Sequence, residues 1–234
     1  MKKFNRKATL DDGCNPELVQ GCVWSGELEI PTIRKPERII IPSKILPYSE
    51  INESADFSEG ICEFEGDEKF ARFFIDPDAV IEELKPFPVV FSPDASMYRD
   101  MPLGYQVINL IRNRACGYHM QQEGLYVIPT IRWGDERTYT TKYFPEKIAF
   151  LGAEKNSIVA IGSYGVVKLR QNRYHFEAGL AAMMEELTPT HIIVYGSSDE
   201  KIFGDYLKYA DFHFYPDHTS RKHREEGGQN GKRS

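Results

Sequence analysis

Short runs of consecutive apolar residues recur along the chain at 89–91, 125–131, 157–161 and 191–194. Continuous apolar runs of this length are typical of strands buried on both faces of a parallel sheet. The segments between them, such as 174–187, carry apolar residues at a spacing of 3.6 residues, which predicts amphipathic helices. Strands that alternate with helices in this way predict a mostly parallel sheet with right-handed crossovers.

The segments before residue 89 predict further elements of the same kind. Residues 70–75 are apolar enough for a strand, and they lead into Asp76 and Pro77, which suit the N-cap and first position of a short helix. The acidic segment 57–69 contains two glycines and predicts a surface loop. The β-branched run at 38–42 lies between prolines and predicts a short or edge strand.

A long helix is predicted from Pro102 to about residue 122, with Gly124 closing it. One arc of this helix gathers mostly apolar and small residues, namely Leu103, Gly104, Val107, Ile108, Leu110, Ile111, Ala115 and Tyr118. Gly104 is expected to let the helix approach the sheet closely. Arg114 falls in the same arc but lies ~18 Å from the helix start at 1.5 Å per residue. This distance favours a structural role, either at an edge or beside a buried carboxylate.

About six strands and four helices are expected, the last strand at 211–215. This alternation fits an α/β fold with a mostly parallel sheet, either incomplete TIM-barrel-like or an open three-layer α/β/α sandwich. Polar residues follow nearly every strand, which favours the barrel. We expect one α/β domain over residues 1–216, with 1–51 as an N-terminal cover and 52–216 as the β/α core. The basic, glycine-containing segment 217–234 is expected to be a disordered tail.

Composition and charge exclude few classes of protein. Hydrophobic residues make up 41% of the 234 positions and charged residues 27%, with a net charge of −6. This balance gives no general attraction to nucleic acid or to anionic membranes. No apolar run approaches the ~20 residues of a membrane helix, and no apolar core follows the basic start of the chain as in a signal peptide. We therefore expect a cytoplasmic protein without a membrane partner.

Carboxylates stand where the predicted strands end. Asp94 follows the strand at 89–91, and Asp76 and Asp135 end the strands on either side of it. The carboxyl ends of parallel strands meet at one edge of a sheet, so these groups could converge there. Two such carboxylates would suit glycoside hydrolysis, or phosphoester hydrolysis assisted by a divalent cation. Alternatively, Asp94 and Asp76 only cap the helices that follow them.

Arg132 and Trp133 follow the next predicted strand. An arginine beside an indole could hold a phosphate or carboxylate and stack on a planar or sugar ring, although Trp133 could equally serve as packing. Ser163 and Ser197 lie in glycine-containing turns that lack the G-x-S-x-G spacing of a nucleophile elbow. Backbone N–H groups at such turns could instead bind an anion.

The predicted catalytic residues are Asp94 as base or metal ligand, Asp135 as second carboxylate and Arg132 as the group that stabilises charge. The residues expected to contact a substrate share a place at or near the strand ends; they are Asp76, Ser92, Trp133, Ser163, Tyr164, Tyr195 and Ser197. No cofactor is identified by the sequence, and a divalent cation is the candidate that these carboxylates suggest.

Four blocks of the sequence are similar to a known family. They are 90–102 (VFSPDASMYRDMP), 112–114 (RNR), 128–137 (IPTIRWGDER) and 195–197 (YGS). In this order they resemble a family of uncharacterised bacterial, plasmid and phage proteins that is defined only as a domain of unknown function. The likeness covers about residues 70–215. It implies a phage or mobile-element context and carries no activity with it.

Two functions follow as hypotheses. The first is a hydrolase with a carboxylate-lined pocket at the carboxyl ends of the strands. The second is a non-catalytic protein that binds a small anionic ligand, or nucleic acid through Arg112, Arg114, Arg137 and the basic tail. A structural phage component is a third. The chain lacks the patterns G-x-x-x-x-G-K-[ST] and G-x-G-x-x-G, so nucleotide binding by those routes is not predicted.

Overall fold

Seven parallel strands form the centre of the fold in a computed structural model, which describes residues 16–54, 57–165, 169–218 and 220. An antiparallel pair, β1 (Trp24–Ser25) and β2 (Ile30–Pro31), precedes them. The first parallel group pairs in chain order and consists of β3 (Ile45–Pro47), β4 (Gly60–Cys62), β5 (Val89–Phe91) and β6 (Val127–Ile128). The second group also pairs in chain order and consists of β7 (Ile158–Gly162), β8 (His191–Tyr195) and β9 (Asp211–Tyr215). A parallel bridge between Thr130 and Ala160 joins the two groups.

Helices separate the strands from β4 onward. They are α1 (Arg72–Ile75) and α2 (Pro77–Leu84) before β5, α3 (Leu103–Gln122) before β6, α4 (Glu136–Tyr139) before β7, α5 (Arg170–Leu187) before β8 and α6 (Glu200–Phe203) before β9. Short 3-10 helices add turns at Pro16–Val19, Tyr48–Glu53, Asp67–Lys69, Ile148–Phe150 and Gly204–Tyr206. The predicted α/β class with a parallel sheet and alternating helices is confirmed.

The two faces of the strands bury different cores because successive side chains of a strand point in opposite directions. On one face, Val90 of β5 packs with α2 and α3, and Val159 of β7 packs with α5. On the other face, Val89 and Phe91 of β5 lie with Ala160 of β7 in a separate apolar cluster. Among the described residues this second cluster contains no helical side chain.

The sheet does not close into a barrel within the described part of the chain. Strand β3 lies at one end of the first group and β9 at one end of the second, and no strand pairing joins them. A side-chain contact spans part of this gap, since the Tyr215 hydroxyl donates to the Pro42 carbonyl oxygen just before β3.

Two predicted elements near the start of the sheet are wrong. Residues 70–75 do not form a strand, because Phe70 and Phe73 turn into the core from helix α1 and the turn before it. The strand lies instead inside the segment 57–69, where β4 is fully buried between β3 and β5. The acidic residues around β4 hid it, since the strand contributes only Gly-Ile-Cys to the sequence pattern.

Helix α3 has the predicted bounds, and Leu110, Ala115 and Tyr118 of the predicted arc are buried. Gly104 is exposed and no atom lies within 4 Å of the position that a Cβ would take there. Gly117 makes the close approach instead, since its Cβ would lie 2.8 Å from Ser92 Cβ and 2.3 Å from Ile33 Cδ1. The buried face is partly polar, with Gln106, Asn109, Asn113 and Arg114 among its members.

Three further predictions concern edges and ends. Residues 38–42 were expected to be a strand and form none. The parallel sheet begins at β3, ahead of the boundary predicted at residue 51. Most of the predicted tail at 217–234 lies outside the described residues.

Candidate functional site

A cavity of about 570 Å³ lies at the carboxyl ends of β4 to β7 and beside the start of α5. We call it the rim cavity. Its aromatic and histidine lining consists of Tyr98, Trp133, Tyr164, Phe176 and His175. Its charged lining consists of Glu65, Asp94, Arg99, Asp100 and Arg132. This volume falls in the range of small-molecule sites, roughly 300 to 1,000 Å³.

An ion pair between Asp94 and Arg132 joins two neighbouring strand ends in the rim cavity. Arg132 Nη1 donates to Asp94 Oδ2, and the two side chains are 23% and 3% exposed. Burial raises the pKa of the Asp94 carboxyl, and the charge of Arg132 opposes that rise. Burial also acts to lower the pKa of Arg132, but the charge of Asp94 outweighs it and holds the pKa above its ordinary value. Arg132 therefore stays protonated.

Two tyrosines flank the guanidinium of Arg132. Its Cζ lies 5.9 Å from the centre of the Tyr98 ring. Burial and the charge of Asp94 raise the pKa of the Tyr164 hydroxyl, and the charge of the Arg132 guanidinium opposes that rise. Tyr164 in turn packs edge-on against Tyr195, with 5.9 Å between ring centres. An arginine held between rings and a carboxylate loses little freedom on binding a ligand, which makes it a prepared donor group.

Hydrogen bonds to helix α3 fix the turn that carries Asp94. Asn113 Nδ2 donates to the carbonyl oxygen of Pro93 at 2.7 Å and accepts at Oδ1 from Ser92 Oγ at 2.8 Å. Ser92 Oγ also accepts from the Thr130 N–H at 2.8 Å. The Asp94 turn and the strand end that carries Arg132 are thus connected through Ser92 and Asn113.

The same face of α3 supports the rest of this turn. Asn109 Nδ2 donates to the carbonyl oxygen of Ser96 at 2.6 Å, and Gln106 Nε2 donates to that of Met101 at 2.9 Å. Positions 106, 109 and 113 lie on one side of a helix because they are three and four residues apart. The polar side chains of α3 therefore hold 93–101 in place where backbone pairing does not.

Arg114 is a structural residue, as predicted, but carbonyl and amide oxygens replace the expected carboxylate. Its side chain is fully buried. It donates to the carbonyl oxygens of Leu151 at 2.9 Å and Thr130 at 2.8 Å, and to Asn113 Oδ1 at 2.6 Å. A longer contact of 3.4 Å reaches the carbonyl oxygen of Ala149. Burial lowers the pKa of this guanidinium.

Trp133 is both part of the lining and a packing residue. Its Nε1 donates to the His175 carbonyl oxygen at 3.0 Å, and its ring lies 5.5 Å from that of Phe176. A Cβ on Gly179 would lie 2.1 Å from Trp133 Nε1, so α5 needs a glycine where the indole crosses it. The indole is 9% exposed. Both alternatives considered for Trp133 from the sequence thus describe part of its environment.

His175 was missed by sequence reasoning. It lines the rim cavity from α5, and its Nδ1 lies 2.9 Å from the Tyr139 hydroxyl. Glu136 Oε2 lies 3.9 Å from the same nitrogen. The available signal was its position in the second turn of the helix that follows β7, because that turn faces the carboxyl ends of the strands.

Glu63 is a buried carboxyl that sequence reasoning assigned to a surface loop. Its side chain follows β4 and is 1% exposed as a residue, and neither carboxyl oxygen has a hydrogen-bond partner within the described ranges. Burial raises its pKa well above the usual range, and the charges of Glu65 and Asp94 add to the rise. Burial therefore favours the neutral form of the carboxyl in the folded protein.

Replacing Glu63 with glutamine is expected to change how stability depends on pH. Above the ordinary glutamate pKa of ~4.3, the unfolded chain releases a proton that native Glu63 keeps. The native protein should therefore lose up to about 1.4 kcal/mol of stability per pH unit up to its raised pKa. Glutamine does not titrate, so Glu63→Gln should flatten this slope between pH 5 and 8 in urea denaturation.

The exposed Glu68 provides the control for this experiment. Glu68→Gln should keep the slope of the parent protein. Parallel pH profiles for Glu63→Gln and the parent would show that Glu63 has a partner and is charged when folded.

The structure brings four of the predicted site residues together in the rim cavity: Asp94, Arg132, Trp133 and Tyr164. Asp135 instead caps α4, accepts from the Arg137 N–H at 3.0 Å and pairs with the Arg137 side chain. Asp76 is exposed at the start of α2, away from the cavity. The predicted convergence of three carboxylates does not occur.

The remaining predicted contact residues lie behind the lining. Ser92 and Ser163 are fully buried, and Ser163 Oγ donates to the Ser197 carbonyl oxygen at 3.1 Å. Tyr195 is buried against Phe64, with the rings stacked 5.1 Å apart. These residues support the cavity wall and do not form its surface.

The predicted nucleic-acid contacts are corrected at one position. Arg114 cannot contact a phosphate because it is fully buried. Arg137 is engaged by Asp135 and by the carbonyl oxygens of Arg99 and Met101. Across the residues with defined structure, no group of three or more His, Cys, Asp or Glu side chains could hold a metal ion.

The sequence matches a family described as a domain of unknown function (DUF4417) over residues 23–213. The chain belongs to this family. Its DUF4417 region contains every residue that lines the rim cavity, from Glu65 to Phe176.

Phage proteins are among the similar sequences. The Gene 1 protein of Mycobacterium phage D29 is 27% identical over 175 residues, which cover 74% of this chain and 62% of that protein. The Gene 1 protein of Mycobacterium phage L5 is 29% identical over 133 residues, covering 57% of this chain and 55% of that protein. The matched part thus spans less than two thirds of each relative. No solved structure matches the chain.

None of the helices in the described residues is long and apolar enough to cross a membrane.

Proposed function

We propose that this DUF4417 protein binds a small molecule with a planar or sugar ring in the rim cavity, in a phage or mobile-element context. The observation that carries the proposal is the buried Asp94–Arg132 pair in the wall of a cavity that four aromatic side chains also line. Small-molecule sites typically combine an apolar and aromatic lining with a few fixed polar groups. In this site Tyr98, Trp133 and Phe176 would contact the ring, and the ion pair would fix its orientation.

Fluorescence of Trp133 offers a direct test. The chain has two tryptophans, Trp24 and Trp133, and Trp24 is half exposed outside the cavity lining. In the variant Trp24→Phe, Trp133 becomes the single reporter. Saturable quenching by one class among aromatic carboxylates, sugars and nucleosides, with a matching rise in melting temperature, is the expected result. A panel that leaves both readouts unchanged would contradict the proposal.

A hydrolase is the second candidate, and the position of Asp94 in the wall of the rim cavity supports it, because a carboxylate there could act as a general base. One observation argues against a hydrolase: Asp135, the predicted second carboxylate, forms an ion pair with Arg137. The ligand that quenches Trp133 should be converted to product if this candidate is correct, and Asp94→Asn should stop that conversion. Binding without product would favour the non-catalytic alternative.

We also propose that the strands form an incomplete TIM-barrel-like sheet and not an open three-layer sandwich. Strand order follows chain order from β3 to β9, whereas an open doubly wound sheet reverses its order at a switch point. The helix-free cluster around Val89, Phe91 and Ala160 resembles a barrel interior. The hydrogen bond from Tyr215 to Pro42 supports an approach of the two outer strands.

A further inference from the structure

We infer that the ligand of the rim cavity is an uncharged nucleobase or nucleoside whose ring carries an N–H donor beside a carbonyl oxygen, as hypoxanthine, guanine and uracil do. This inference rests on the proposed binding function and names the chemistry of its ligand. It follows from the hydrogen-bonding capacity of the ion pair, the charge of the cavity wall and the form of the aromatic lining.

The ion pair presents one kind of acceptor and one kind of donor side by side. An ionised carboxylate only accepts hydrogen bonds, and a guanidinium only donates them. Arg132 donates to Asp94 Oδ2, so Oδ1 is the carboxylate oxygen that a ligand would engage. Asp94 and Arg132 both line the cavity. A ligand edge that satisfies both groups needs a donor next to an acceptor.

The charge of the wall favours a neutral ligand over a phosphate. The lining contains three carboxylates, Glu65, Asp94 and Asp100, against two guanidinium groups, Arg99 and Arg132. Arg132 is also neutralised by Asp94. A phosphate has a charge near −2 and would be repelled by this excess of negative charge. Sites that bind phosphate normally have a different composition of charged residues. The N–H and carbonyl groups of a ring amide can form hydrogen bonds with both members of the ion pair without adding charge.

The aromatic lining favours a flat ring. Tyr98 covers the guanidinium from one side and is 56% exposed, so its free surface continues the wall toward solvent. Trp133 and Phe176 form a packed pair on the α5 side. Rings of this kind contact flat heterocycles with an affinity that depends little on the base, at ~1 to 3 kcal/mol per stacked base. The hydrogen bonds between the edge of the ring and Asp94 and Arg132 would then distinguish one base from another.

Matched nucleosides test the edge directly with the Trp24→Phe protein and Trp133 fluorescence. Inosine has the ring N–H and the carbonyl oxygen, 1-methylinosine has lost the N–H, and purine riboside lacks both. We expect inosine to bind at least tenfold more tightly than either analogue, because each analogue leaves a buried polar group without a partner. Equal affinities for inosine and 1-methylinosine would overturn the inference.

Two variants assign the discrimination to Asp94. Asp94→Asn should weaken inosine binding and reduce the preference over 1-methylinosine, because an amide can also donate. Asp78→Asn makes the same change at a carboxylate that is 89% exposed on α2, and it should leave both values unchanged. Retained preference in a folded Asp94→Asn protein would overturn the assignment. If Asp94→Asn does not fold, the nucleoside comparison on the parent site decides alone.

The same titration separates the possible sources of the base and the two proposals. A single-stranded oligonucleotide containing inosine should bind no more tightly than free inosine if the ligand is a nucleoside. If the oligonucleotide binds more tightly than inosine and keeps the preference over 1-methylinosine, the hydrogen-bonding edge is supported and a free nucleoside is ruled out as the ligand. Quenching by aromatic carboxylates or sugars but not by nucleosides would refute this inference and leave the binding function standing. Absence of quenching by every compound would refute both.

Discussion

Replacement of Arg114 by methionine is expected to lower the free energy of unfolding by about 3 to 5 kcal/mol. Methionine fills much of the volume but donates no hydrogen bond. The carbonyl oxygens of Thr130 and Leu151 and the side-chain oxygen of Asn113 would lose a buried donor. A typical buried hydrogen bond contributes about 0.5 to 1.5 kcal/mol, and one that involves a charged group about 1.5 to 3 kcal/mol. Urea denaturation at 25 °C measures the difference.

Arg34 provides a control because its side chain is exposed. Arg34→Met should change the free energy of unfolding by less than about 0.5 kcal/mol. Arg114→Lys should remain close to Arg114→Met, since one ammonium group cannot reach oxygens that lie around different edges of the guanidinium. A loss below about 1 kcal/mol for Arg114→Met would show that the surrounding carbonyl groups find other donors.

The second large effect is an asymmetry within the Asp94–Arg132 pair. Arg132→Met is expected to cost about 3 to 5 kcal/mol, because it leaves the Asp94 carboxylate buried without its counter-charge. Asp94→Asn is expected to cost only about 1 to 2 kcal/mol. The asparagine can still accept from Arg132, and the arginine can turn toward the cavity.

Acid should reduce the loss caused by Arg132→Met. Without the guanidinium, burial alone acts on the pKa of Asp94 and raises it further, so the native variant holds a proton that its unfolded chain releases. The loss in free energy of unfolding of Arg132→Met relative to the parent protein should therefore be largest near pH 8 and smaller near pH 5. Unfolding curves of Arg132→Met and Asp94→Asn at both pH values test this. An Asp94→Asn protein less stable than Arg132→Met would contradict the asymmetry.

The strands with the strongest apolar pattern could be predicted from the sequence. Val89–Phe91, Ile158–Gly162 and His191–Tyr195 are strands in the structure, and each follows from a continuous run of β-branched or aromatic residues. Leu103–Gln122 was also predicted with its bounds, because Pro102 and Gly124 mark its ends. These signals depend only on residues close together in sequence, and the folded protein contains the elements that they predict.

The missed features depend on contacts that a local pattern does not contain. Strand β4 is three residues long, and its burial comes from its neighbours on both sides. The residues that brace the Asp94 turn look like an exposed polar face of α3 in sequence. They are buried because Asn109 and Asn113 find carbonyl partners on another segment.

Part of the candidate site was predicted from the sequence, and the rest was missed because it depends on contacts that a local pattern does not contain. Asp94 and Arg132 were identified because each follows a strand, and parallel neighbours bring strand ends together. Asp135 was expected to join them, but Arg137 lies two residues away and engages it locally. His175 approaches from a helix that begins eight residues after β7, a path that the sequence alone does not trace.

Sequential strand pairing has a consequence for folding during synthesis. Each strand from β3 to β9 pairs or bridges with the next one along the chain, so the sheet can grow in the order in which the ribosome releases it. The Asp94 turn can dock on α3 once residue 122 has emerged, well before the wall formed by α5. A nascent chain would thus carry an open, aromatic rim until the helix ending at Leu187 is made. Ribosome-bound chains of increasing length should gain protection of Trp133 from quenchers only beyond that point.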